Sequence, residues 1–211
     1  MSNSFKEYLE CLTSLDPMKT LVKKEKVIIF MSGSSHFAHS ELSEIQLSFF
    51  EESMGDSIEW LPTNFPYNEL FRCKNPKFPS LLQASWSNCL YFIHTRWNEG
   101  FQHELIRHLT PIFQCKEIVI ITQSSGLNML TTVLSKIRHS YQKIQIIALG
   151  PVSIKKLDKT MYDCLIIKGK YDWYSRLFDR NQPDYLVKCQ HFDYLMNAEV
   201  RGLINEYVQK N

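Results

Sequence analysis

The sequence predicts an α/β fold: a mostly parallel sheet with helices on both faces. Short apolar runs rich in β-branched residues alternate with stretches of helical periodicity, which is the pattern of strand–helix units. One of these runs, Lys26 to Met31 (KVIIFM), is continuously apolar after its lysine, which suits a strand covered on both faces, and Lys143 to Leu149 (KIQIIAL) and Cys164 to Lys168 (CLIIK) are further runs of strand length. With 211 residues, 44% of them hydrophobic and 22% charged, the chain can bury a substantial core, and one domain spanning 1–211 is expected.

The elements follow in order. Phe5, Tyr8, Leu9, Leu12 and Leu15 fall at helical spacing and Asp16-Pro17 closes the segment, so residues 1–26 read as a helical N-terminal extension. Lys26 to Met31 (KVIIFM) is the first buried strand, followed by the small-residue loop Ser32-Gly33-Ser34-Ser35. Ser40 is the expected cap of a helix carrying Leu42, Ile45, Phe49 and Met54 on one face. Ser57 to Leu61 predicts a second, short strand stopped by Pro62, and a loop rich in Pro, Asn and Phe runs from Thr63 to Pro79. Helical periodicity then extends from Leu82 to Ile112, with Gly100 as the candidate break. Glu117 to Thr122 is a strand, and Leu127, Leu130, Leu134 and Ile137 give a helix face. The strands Lys143 to Leu149 and Cys164 to Lys168 end at Gly150-Pro151 and Gly169. Tyr185 to Lys188 is the last strand, and Val200, Leu203, Ile204 and Tyr207 line a closing helix.

Composition removes several function classes. The formal net charge is +2, and Lys23-Lys24-Glu25-Lys26 reads as a solvated entry to the first strand, so no nucleic-acid partner is expected. A polar N-terminus and the lack of a long apolar run predict no membrane span and a cytoplasmic location. The six cysteines (11, 73, 89, 115, 164 and 189) form no C-x-x-C pair and read as free thiols, and no metal or cofactor is expected. Cys189-x-His191 offers only two of the ligands a metal site needs.

In parallel sheets the working residues gather beyond the C-terminal ends of the strands. That rule singles out residues 32–36, 122–126, 169–173 and 189–193. In VIITQSSGL, Ser124 stands between a strand and a helix with Gly126 two places on, and the backbone N–H of Ser125 lies where it can stabilise an oxyanion. Alone, Ser-Ser-Gly after a strand is more often a helix cap. Asp172 could orient a histidine or merely cap the segment Trp173 to Phe178, and His191 follows the last strand, where a general base can stand. His36, His39, His94, His103, His108 and His139 lie in a loop, on helices or near a helix end. Serine, then acid, then histidine, each at a strand end, favours a triad over three separate structural roles.

With TQSSG, IIKGKYDWYS and QHFDYL as its motifs, the chain from Val27 to the C-terminal helix resembles the α/β-hydrolase family. The resemblance implies Ser124 as nucleophile, His191 as general base and acid, and Asp172 as the partner that fixes the imidazole tautomer. Met31-Ser32-Gly33-Ser34 is similar to the loop after the family's first parallel strand, which implies the backbone N–H of Ser34 as a second oxyanion donor beside that of Ser125. The implied activity is a serine hydrolase cleaving an ester or thioester, with a small-molecule or carrier-bound acyl substrate. Trp173, Phe192 and parts of 63–79 are the candidate pocket walls. The same apparatus could pass the acyl group to an alcohol or amine. Thr122 departs from the family's small residue two places before the serine, and motivates an alternative, a catalytically inactive hydrolase-like binding or accessory protein. The N-terminal antiparallel strands of the family are replaced by the helix from Phe5 to Leu15, and the spacings 150–164 and 172–191 are too compressed for a separate lid domain. A flavodoxin- or Rossmann-like phosphate loop at Ser32 to Ser35 would lack both G-x-G-x-x-G and a P-loop lysine.

Overall fold

The computed structural model describes residues 4–20, 25–33, 36–54, 59–137 and 143–210. The apolar runs become β1 (Lys26–Ser32), β2 (Glu117–Gln123), β3 (Lys143–Leu149), β4 (Asp163–Gly169) and β5 (Tyr185–Val187). They pair in parallel, in the order β1-β2-β3-β4-β5. Because successive side chains point to opposite faces, each central strand feeds two cores. Ile29, Met31, Ile118, Ile120 and Ile146 face α1 (Phe5–Ser14), α3 (Leu81–Trp97), α4 (Glu99–Leu109) and α5 (Gly126–Val133). Ile28, Phe30, Val119, Ile121 and Ile147 face α2 (Glu44–Met54) and α7 (Ala198–Lys210). The remaining helix, α6 (Trp173–Phe178), follows β4 directly.

The N-terminal helix belongs to the first core rather than projecting from it. Ser4 and Glu7 close a capping box at its start, and Phe5, Tyr8 and Leu12 are buried. Its C-terminal carbonyls are satisfied by Arg107 of α4, which donates to Leu12 and Leu15.

Element ends shift by a few residues from those expected, and three of the differences have a direct physical cause. Ser43 rather than Ser40 caps α2: Ser43 and Gln46 exchange side-chain and backbone bonds, whereas Ser40 is buried and bonded to the Phe71 carbonyl. The long helical segment breaks at Asn98, two residues before Gly100, because the Asn98 side chain accepts from Phe101 N–H and starts α4. The short strand expected at 57–61 is reduced. Ser57 and Ile58 lie outside the described residues, and Trp60 makes an isolated parallel bridge to Ile28. Pro62 has no N–H with which to continue the ladder.

That bridge positions the site. Ile28 N–H donates to Glu59 and its carbonyl accepts from Leu61, both at 2.9 Å, so this edge lies on the side of β1 away from β2. The chain therefore leaves β1 in one direction and returns through α3 and α4 to β2 on the other. The crevice at such a reversal opens at the C-terminal ends of the two strands, here Ser32 and Gln123. Among the described residues no helix is long and apolar enough to cross a membrane.

At the same place α5 begins against β1 with no intervening side chain: a Cβ on Gly126 would overlap the Met31 carbonyl. Gly126→Ala is expected to cost about 2 kcal/mol or more, as overpacking against backbone does. Urea unfolding should show a lower midpoint at an unchanged slope.

Candidate active site

Ser124 has φ 55°, in the left-handed region that costs a non-glycine residue about 1–2 kcal/mol. Bonds on both sides hold the turn. Ser124 N–H donates to the Leu149 carbonyl at 3.2 Å, and its own carbonyl accepts from Val152 N–H at 3.0 Å. Thr122 is buried, and its hydroxyl donates to the Ile147 carbonyl at 3.4 Å. Its partner in β3 is Ala148, whose small side chain leaves room for the β-branched one. The turn thus forms with Thr122 in place.

The turn delivers the Ser124 hydroxyl to His191, with Oγ 2.9 Å from Nε2. On the other side of the ring, Nδ1 lies 2.9 Å from both Asp172 carboxylate oxygens. Burial opposes ionisation of Asp172, yet hydrogen bonds from His191 and Tyr194 hold its carboxyl below the usual range. An ionised carboxylate only accepts, so Nδ1 carries the proton and Nε2 is free to accept from the serine hydroxyl. Ser124, Asp172 and His191 are 6%, 1% and 8% exposed.

Two loops carry the acid and the histidine. Lys170 N–H donates to Val187 at 2.8 Å and Tyr171 N–H to Cys189 at 3.2 Å. Gly169 permits this approach, since a Cβ there would overlap the Cys189 carbonyl. Both readings of Asp172 hold at once: it caps α6 by accepting from Ser175 N–H at 3.1 Å while it holds His191. The Asp193 side chain accepts from Gln190 N–H at 3.1 Å and closes the turn that presents His191.

The hydroxyl opens into a mostly apolar cleft of about 330 Å³. Phe192 lines it, but Trp173 does not: it is 67% exposed, with the Arg176 guanidinium 5.4 Å from its ring. The walls are instead Tyr174 and Phe178 of α6 and Asn88, Cys89 and Phe92 of α3, in place of the 63–79 loop. Ser125 begins α5, where the first N–H groups have no helical acceptor. Its hydroxyl donates to Asn88 at 2.7 Å, and Gly33 packs so closely on this pair that a Cβ would overlap the hydroxyl. Ser34, the expected second oxyanion donor, lies outside the described residues.

Sequence reasoning missed Tyr194 and Asn88. The Tyr194 hydroxyl donates to Asp172 Oδ2 at 2.7 Å and accepts from Gly169 N–H at 2.6 Å, and burial with the adjacent carboxylate raises its pKa. The available signal was its place three residues after His191 in QHFDYL, since a buried tyrosine hydroxyl needs a partner. Asn88 gave none, being one polar residue on a long helix. Among the described residues no cluster of three or more His, Cys, Asp or Glu could hold a metal ion. Both His191 nitrogens are engaged, and burial pushes the Cys189 thiol up to about 11.

Tyr194→Phe removes one donor to Asp172 and the acceptor of Gly169 N–H, so a loss of about 1–3 kcal/mol is expected. A carboxyl held low in the folded state stabilises above its unfolded pKa, and that stability is lost as pH falls through the folded pKa. The variant raises the folded pKa towards the ordinary value, so its loss of stability on acidification should begin at higher pH. Urea midpoints compared from about pH 7 down to about pH 3 check this.

No protein-family model matches the chain, and no curated protein sequence matches it. Solved structures do. Esterase PE8 superposes with a TM-score of 0.50 at 11% identity, covering 89% of this chain and 93% of that one. A carboxylesterase from Mesorhizobium loti gives 0.45 at 11% identity, covering 90% of each chain. A structure described as a hydrolase of the alpha/beta superfamily, from Xanthomonas campestris pv. campestris, gives 0.49 at 12% identity over 90% of this chain and 100% of that one. Likeness at such identities concerns the fold. The parallel sheet, the reversal beside β1 and the helices on both faces are those of the α/β-hydrolase fold.

Proposed function

We propose that the protein is a serine hydrolase cleaving a carboxylic ester or thioester through an acyl-enzyme on Ser124. The observation that carries this is the unbroken chain from Ser124 Oγ through His191 to Asp172, on the floor of an apolar cleft. Small-molecule and carrier-bound acyl groups both suit such a cleft.

In the first half-reaction Ser124 Oγ attacks the acyl carbonyl while His191 Nε2 takes its proton. Asp172 stabilises the imidazolium that forms and keeps Nδ1 protonated throughout. Negative charge develops on the former carbonyl oxygen, and the Ser125 N–H at the start of α5 is its donor. Collapse of the tetrahedral adduct expels the alcohol or thiol, which takes its proton from His191. Water then attacks the acyl-Ser124 ester, His191 accepts its proton, and Ser124 leaves with the proton returned.

A serine-directed fluorophosphonate probe should label the folded protein, and Ser124→Ala should abolish the labelling. The same variant should lower kcat on a p-nitrophenyl ester by at least roughly 10³-fold, with KM little changed. Well-folded protein that is neither labelled nor active on esters or thioesters would overturn the proposal.

A further inference from the structure

Helix α6 has two working sides. Tyr174 and Phe178, four residues apart, line the cleft, while Arg176 between them points about 200° away at helical spacing. On that opposite side lies an open recess of about 500 Å³ whose lining includes Lys156, Lys168, Arg176, Asp179, Arg180 and Leu186.

The charge of this recess is one-sided. Lys168 Nζ is buried and satisfied, donating to Asp179 Oδ2 at 2.8 Å and to the Ser175 and Asp179 carbonyls. The one carboxylate of the lining is therefore already engaged. Among the described residues, Lys156, Arg176 and Arg180 have no carboxylate partner. Arg176 is also preorganised: its guanidinium lies 5.4 Å from the Trp173 ring, and Nη1 donates to the Lys170 carbonyl at 3.3 Å. Three exposed cations without a carboxylate partner line one hollow, two of them arginines, and this suits a phosphate, which arginine binds with two parallel donors.

We propose that this recess binds a phosphate group on the leaving portion of the acyl substrate, so that α6 separates an acyl site from an anion site. The proposal rests on the hydrolase reading above and narrows its substrate class to acyl donors bearing a phosphate mono- or diester. A coenzyme-type thioester and a lipid phosphate share that chemistry.

Two matched pairs separate these sources. Acyl-coenzyme A is compared with the S-acyl-N-acetylcysteamine of the same chain, and a lysophosphatidic acid with the monoacylglycerol that lacks its phosphate. In at least one pair the phosphate-bearing member should have the higher kcat/KM, and Arg176→Ala combined with Arg180→Ala should cut that ratio about tenfold or more. Ratios near unity in both pairs, or ratios unaltered by the double substitution, overturn the site. Calorimetric titration of inorganic pyrophosphate into the Ser124→Ala protein gives a readout independent of turnover. Binding should weaken about tenfold or more when Arg176 and Arg180 are also replaced, and no binding or equal affinity overturns the site. If no acyl substrate is cleaved, the hydrolase proposal fails on its own and the titration still decides the recess.

Discussion

At Ser124 the backbone must leave β2 with a positive φ and enter α5 within two residues, and the surrounding structure is arranged to hold that turn. The end of β3 accepts the Ser124 N–H, and the loop after it donates to the Ser124 carbonyl. Gly126 lets α5 start against the β1 backbone, and Gly33, just after β1, lies directly against Ser125 and Asn88. A local cost of about 1–2 kcal/mol persists only where neighbours over-determine it, and the gain is a buried hydroxyl within reach of His191. Thr122 is compatible with this because its neighbour on the β3 side is alanine and its hydroxyl has an acceptor.

Asp172 meets a different physical demand. Removing a carboxylate from water costs several kcal/mol unless its oxygens are satisfied. Here Oδ1 accepts from Ser175 N–H and His191, and Oδ2 from His191 and the Tyr194 hydroxyl. Those partners come from the start of α6 and from residues 191–194, so the charge ties the acid's own turn to the histidine loop and the turn after it. Tyr194 serves twice, because its oxygen also takes the Gly169 N–H. Gly150, at φ 49°, leaves room for the Tyr194 ring and the carboxylate, which a side chain there would displace.

The cleft is shaped by helices rather than by a long loop. α3 returns across the sheet to reach β2 and supplies one wall, and the short α6 supplies the other. Since α6 is capped by Asp172 itself and tied at its far end by Lys168 and Asp179, one wall of the cleft and the candidate acid belong to the same short element. The same piece turns Arg176 to the recess behind it.

Most of the fold was legible in the sequence, because continuous β-branched runs and 3.6-residue periodicity are local properties with one physical interpretation. So were the strand-end positions of Ser124, Asp172 and His191, since in an all-parallel sheet the C-terminal ends of all strands lie along one edge. Boundaries set by one side-chain bond were less legible: Asn98 outweighed Gly100, and Ser43 outweighed Ser40, because capping depends on which residue finds an N–H in space. Only the tertiary structure could decide the cleft walls, the second partner of Asp172 and the isolation of three cations behind α6. Each depends on distances between residues far apart in the chain. By itself, the sequence determined which residues stand at the strand ends. Packing decided which of them touch, because close approach at Gly33, Gly126 and Gly169 is a relation between segments and not a property of any one of them.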